Sequence, residues 1–286
     1  MKDKITNPII RILKNEGVIS FFKKSAKYVV QNYFLDSSRY FNVYRDFVRI
    51  FPQLHSKYKI AKYKITRGYK APPDPHKLVF INPADIKEFL INPSTDRSNK
   101  KNCAYWKRYE KAGEIVDGDW DKNTKPVEVY WKYIDMHNRY VNSTPWENTQ
   151  HYKNYLKMGY SPEETINLLK KFDTLYEKIQ KEYKTSYQLD DTGFLEEICV
   201  CIGRDGDILF GNSGWHRLAM ARISALDRIP VRVMLRHRKW QEVREQFFKY
   251  ISKDEPLPNE LKSYVNHPDL IDIIGDSSLR SQARCI

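Results

Sequence analysis

The run Gly211-Asn212-Ser213-Gly214-Trp215-His216-Arg217 sets two glycines, a histidine and an arginine between an apolar segment, Ile208-Leu209-Phe210, and a small-residue one, Leu218 to Leu226. A glycine-containing turn between a strand and a helix leaves backbone N–H groups unpaired at the positive end of the helix dipole, and that geometry suits phosphate. Arg217 in the first helical turn can pair with a phosphate through two parallel hydrogen bonds, and His216 can donate to a phosphoryl oxygen or move a proton. An ordinary solvated helix cap is the competing reading, because such junctions are common. Asp117, Asp119 and Asp121, grouped around Gly118, offer hard oxygen ligands for Mg²⁺ or a carboxylate base. Their competing reading is an Asx-rich surface turn.

Other candidates are weaker. Trp146-Glu147 and His151 lie one turn apart, but a capping box already accounts for Glu147. Glu196 and Glu197 read as solvated strand-edge residues, and His237, among Arg236, Arg238 and Lys239, reads as surface. Cys103, Cys199, Cys201 and Cys285 lack CxxC spacing, so buried free thiols are expected, with Cys199 and Cys201 on one face of a strand. No clustered Cys/His set supports zinc, and no G-x-S-x-G or Walker A run supports a hydrolase or P-loop enzyme.

The elements that must position these residues follow from local pattern. Lys77 to Ile81 reads as a strand, followed by Asn82-Pro83-Ala84-Asp85 as N-cap, N1 proline and acidic first turn. Residues 92–128 show little periodicity and read as a long loop. Thr144-Pro145-Trp146-Glu147 and Ser161-Pro162-Glu163-Glu164 both have the form of capping boxes that open helices. Glu197 to Ile202, the turn Arg204-Asp205-Gly206-Asp207 and Ile208-Leu209-Phe210 form a hairpin. Ile229 to Leu235 closes the unit, with Ile229, Val231, Val233 and Leu235 on one face by alternation.

The segment Ser213-Gly214-Trp215-His216-Arg217, the helix bearing Ala219, Ala221 and Ala225, and the strand Ile229-Pro230-Val231 resemble the signature of the ParB/sulfiredoxin-like superfamily. Leu78 to Ile86 is similar to that family's first strand and turn, and Leu175 to Ile179 to the helix before its hairpin, so the resemblance covers about residues 75–237. It implies an α+β fold with a mixed sheet and helices. It also implies a nucleotide ligand, ATP, ADP or CTP, held by residues 211–217. Sulfiredoxins carry a cysteine where this chain has Trp215, and partition proteins carry a G-E-R-R turn and a helix-turn-helix absent from residues 240–286. The His-Arg ending favours the branch of small-molecule kinases, although Ser213 stands in place of that branch's aspartate. The resemblance thus implies a phosphotransferase with His216 assisting and Asp119 and Asp121 as catalytic acid and Mg²⁺ ligands. Its acceptor would be a small-molecule or glycan- or lipid-linked hydroxyl. The alternatives are a catalytically silent nucleotide-sensing or DNA-associated module, and an interaction protein whose site has decayed.

Among the 286 residues, 49 are Lys or Arg against 36 Asp or Glu, and residues 1–70 hold 16 of the basic and 4 of the acidic side chains. The charge is thus concentrated in the first quarter, which excludes a whole-domain basic surface of the nucleic-acid type. Residues 8–34 add apolar positions at helical spacing, so residues 1–71 read as a basic amphipathic arm for an anionic membrane surface, with Phe21, Phe22 and Phe34 as inserting residues. Nucleic acid is the weaker partner. Residues 72–240 form the domain and 241–286 a helical tail, with the boundary at Ala71-Pro72-Pro73-Asp74-Pro75. No secretory signal or apolar span is evident, so a cytoplasmic protein, peripheral on the inner membrane surface, is expected.

Overall fold

The computed structural model describes residues 48, 50–91, 112–185 and 198–275. The chain forms two compact units, Met1–Pro52 and Gln53–Ile286. Phe21, Phe22, Phe34, Cys103, Cys285, Glu196 and Glu197 lie outside the described residues. Within the described residues eight α-helices accompany a seven-stranded mixed sheet, giving an α+β architecture.

Strand β7 (Ile229–His237) is buried along its whole length and organises the sheet. Beside it runs β5 (Ile198–Ile202), parallel, and then β6 (Ile208–Ser213), antiparallel to β5 as the sequence hairpin requires. The order continues through β2 (Glu88–Leu90), parallel to β6, to β4 (Thr124–Pro126). On its other edge β7 pairs with β1 (Leu78–Ile81) and, further along, with β3 (Glu114–Val116). Ile198, Val200, Ile202, Phe210, Val231 and Val233 enter the main core, while Cys199, Cys201, Leu209 and Leu235 join a second cluster with Ala112, Val116 and Trp120. Strict alternation places Leu235 with Val233, but the register slips there: Val200 faces Val233 and Cys201 faces Leu235, so Met234 is the extra residue. A bulge of this kind turns the following side chain to the other face.

The helices on the main core are α2 (Trp131–Tyr140), α3 (Gln150–Lys157), α4 (Pro162–Thr185) and α5 (Trp215–Ile223). Helix α4 opens as its sequence predicts: the Ser161 N–H donates to Glu164 Oε2 at 2.8 Å and the Glu164 N–H to Ser161 Oγ at 3.2 Å. The expected box at Thr144 does not form. Trp146–Asn148 is a single 3₁₀ turn, and Thr149 caps α3 by accepting from the Tyr152 N–H, because the chain must turn once more to bring His151 inward. Likewise Asn82 and Pro83 open only a 3₁₀ turn, Pro83–Asp85, before β2 begins.

The proline-rich break at residues 71–75 lies inside the larger unit. Ahead of it, α1 (Pro52–Arg67) is tied to β3 by Lys59, which pairs with Glu114, and by Tyr63, whose hydroxyl accepts the Ile115 N–H at 2.9 Å. The tail is equally integrated. From α6 (Arg238–Ser252), Glu245 accepts the N–H groups of Lys70 and Ala71, and Arg244 pairs with Asp269 and Asp272. Two short helices, α7 (Asn259–Lys262) and α8 (Ile271–Ile274), complete the described chain.

Candidate active site

The end of β6 delivers the chain into α5 through Gly214, at φ 89°. An L side chain is strained there, and a Cβ at Gly214 would meet Ile198 Cα at 2.9 Å, so only glycine lets α5 start against β5. No side chain caps α5 at Gly214. Gly211 is equally close-packed, its missing Cβ facing the Cys199 carbonyl oxygen at 3.1 Å. Ser213 is the last residue of β6, opposite Cys199.

The three side chains after Gly214 diverge. Trp215 turns into the core, 6% exposed, where it stacks on Tyr130 at 4.0 Å and meets Phe89 and Phe210. Its indole is therefore structural, and only its backbone can serve a ligand. Arg217 is half-buried at the helix start. His216 lies between Phe172 of α4, with ring centroids 4.3 Å apart, and His151 of α3.

His216 and His151 meet through their Nε2 atoms at 2.9 Å, and His151 Nδ1 lies 2.6 Å from Asp135 Oδ2. Asp135, buried on α2, also accepts the backbone N–H groups of Gln150 at 3.1 Å and His151 at 2.7 Å. Three donors converge on this carboxylate. Burial alone would raise its pKa, but the hydrogen bonds from His151 and Gln150 outweigh that and hold it low. With Asp135 ionised, the proton of neutral His151 sits on Nδ1 and its Nε2 accepts. His216 must then donate from Nε2, which leaves the lone pair on its Nδ1. His216 itself is pushed down to about 3 by burial first, then by the cost of a second positive imidazole beside His151 and by the charge of Lys132. The arrangement is a chain of carboxylate, imidazole and imidazole ending at the start of α5.

Aromatic and ionic contacts fix it. Trp131 lies against His151 at 4.6 Å, and Asp173 of α4 accepts from Arg139 and from Trp146 Nε1 at 3.0 Å. Asp135 was missed in the sequence, and His151 stood only as a weaker candidate beside Trp146-Glu147, because nothing local joins the two. They are 16 residues apart, His151 is 65 residues from His216, and the tertiary pairing alone joins them.

The acidic loop is elsewhere. Asp121 accepts from the Arg204 backbone N–H at 2.8 Å and from its guanidinium at 2.6 and 2.9 Å, so it closes on the hairpin turn before β6. The 211–217 turn is at the far end of that strand, roughly 17 Å away for six extended residues. Asp119 pairs with Lys122 and Arg204, whose hydrogen bonds, that of Lys122 first, hold its pKa down to about 2, and Asp117 pairs with Arg238. The expectation that Asp119 or Asp121 reaches the turn, as catalytic acid or metal ligand, is corrected: Arg204 draws both toward the opposite end of β6. Among the described residues no group of three or more His, Cys, Asp or Glu is placed to hold a metal ion. His237, expected on the surface, is buried; its Nε2–H donates to the Gly118 carbonyl oxygen at 2.8 Å and anchors the same loop. Cys199 and Cys201 are buried free thiols.

No family model, curated protein or solved structure matches the chain.

Proposed function

We propose that this protein is a nucleotide-dependent phosphotransferase of ParB/sulfiredoxin-like fold that acts on a hydroxyl acceptor. The observation that carries the reading is the Asp135–His151–His216 chain ending at an uncapped helix N-terminus. The N-terminus of α5, which no side chain caps, and the Arg217 guanidinium suit the phosphates of a nucleotide, and the nucleotide would supply the phosphoryl group. His216 Nδ1 takes the acceptor's hydroxyl proton while His216 Nε2–H passes its own to His151 Nε2. The positive charge thereby settles on His151, against the Asp135 carboxylate, rather than on the desolvated His216. This relay offsets the low basicity of His216 and supplies the base that the sequence reading sought in the acidic loop. Asp119 and Asp121 do not fit a Mg²⁺ at the turn, because their hydrogen bonds to Arg204 hold them at the other end of β6, and no step here uses them.

A second reading, a silent nucleotide sensor, draws on the same displacement of the aspartates from the turn. Thermal melting with ATP, ADP and CTP, each with Mg²⁺, followed by assay of nucleotide consumption with pooled hydroxyl compounds, separates the two. The phosphotransferase reading expects stabilisation by one nucleotide and turnover that His151→Ala abolishes. Stabilisation without turnover selects the sensor. No stabilisation by any of the three defeats both.

A further inference from the structure

Helix α1 is amphipathic the wrong way round for a helix packed on a domain. Its inward side is polar: His55 meets His76, Ser56 bonds to Asp74, Lys59 pairs with Glu114 and the Tyr63 hydroxyl accepts from Ile115. Its outward side carries Leu54, Tyr58, Ala61 and Ile65, spaced four, three and four residues apart, which places them on one stripe. Leu54 is 50%, Tyr58 57% and Ile65 83% exposed. Lys57 and Lys64 flank the stripe on one side and Lys62 on the other, all exposed. Residues 52–70 contain no acidic side chain.

We infer that the outer face of α1 is a docking surface for an anionic lipid bilayer. The stripe lets Leu54 and Ile65 enter the acyl boundary and Tyr58 sit at headgroup depth, while the lysines on both flanks meet lipid phosphates and carboxylates. Charge decides among occupants. A second copy docked on this face would set lysines against lysines with no carboxylate to match. Nucleic acid would satisfy the lysines but cover a stripe of aliphatic side chains with phosphate. An anionic bilayer satisfies both features. The four stripe residues lie within α1, so the surface is distinct from the basic segment before residue 48.

The test is flotation of the full chain with phosphatidylcholine vesicles and with vesicles that also contain phosphatidylserine. Binding to the anionic vesicles alone, weakened by salt, is expected, with a loss of about tenfold or more in Leu54→Glu/Ile65→Glu and partial loss in Lys57→Gln/Lys62→Gln/Lys64→Gln. Both sets of substitutions are at exposed positions, and circular dichroism checks that the fold is kept. The proposal is overturned if the parent does not float, or if Leu54→Glu/Ile65→Glu floats like the parent. It is overturned equally if light scattering shows a dimer that this variant dissociates.

Discussion

At the residue scale, the tautomers of two histidines decide what the site can do. Asp135 faces only donors, so Asp135→Asn puts an amide NH₂ against at least one of them. That substitution is expected to cost about 1–3 kcal/mol of stability for the unsatisfied buried donor. If the amide donates to His151 Nδ1, the His151 proton moves to Nε2, the relay runs backwards, and turnover falls by roughly a hundredfold or more. Arg217→Ala tests the other half of the site. It removes a charge-assisted contact worth about 1.5–3 kcal/mol, so calorimetry should find nucleotide affinity lowered tenfold to a hundredfold. Parental affinity in that variant would remove Arg217 from the site.

At the element scale, the strand-to-helix passage and the hairpin turn are separate devices at opposite ends of β6. Gly214→Ala forces a Cβ toward the Ile198 backbone at a positive φ, so α5 must shift. Loss of about 1–3 kcal/mol by chemical denaturation together with weakened nucleotide binding is expected. Arg204→Ala instead removes the guanidinium that ties Asp119 and Asp121 to the hairpin turn at the other end, so denaturation should report lower stability while nucleotide binding is kept. Weakened binding in Arg204→Ala would return the acidic loop to the site. The two ends also mark what was legible in the sequence. The hairpin, the small-residue helix and the Ser161 capping box rest on local rules of turn chemistry and periodicity, and they stand in the structure. The Met234 bulge, the displaced cap at Thr149 and the Asp135–His151 pairing rest on long-range contacts, so no local pattern announced them. The aspartate loop looked catalytic because three carboxylates near a glycine are rich in ligands. Nothing in its own residues disclosed that Arg204, 83 positions from Asp121, would pair with them.

At the scale of the whole molecule, four histidines, His55, His76, His216 and His267, are held by partial or full burial in forms that resist protonation. Besides His216, His76 is lowered to about 3 and His55 to about 4, chiefly by burial, with neighbouring cationic groups adding to it. Folded values below the ordinary 6.5 mean that the unfolded chain binds more protons between about pH 3 and 6.5. Stability is therefore complete above that window and falls as pH drops through it, by at most about 1.4 kcal/mol per pH unit for each histidine. Melting temperatures recorded from pH 7 to pH 4 should decline, and His55→Gln should flatten the decline; a flat parental profile would contradict the buried neutral pair. The integration of α1, the break at residues 71–75 and the tail into one unit makes this a cooperative property rather than that of one site. The central claim, that residues Gly214 to Arg217 and the relay form one nucleotide site, is tested most directly by imidazole nitrogen NMR during nucleotide titration. The account predicts His151 protonated on Nδ1 and His216 on Nε2 in the free protein, with the His216 resonances moving saturably as nucleotide is added and not moving in Arg217→Ala. Resonances of His216 and His151 that stay fixed at millimolar ATP, ADP and CTP would contradict it.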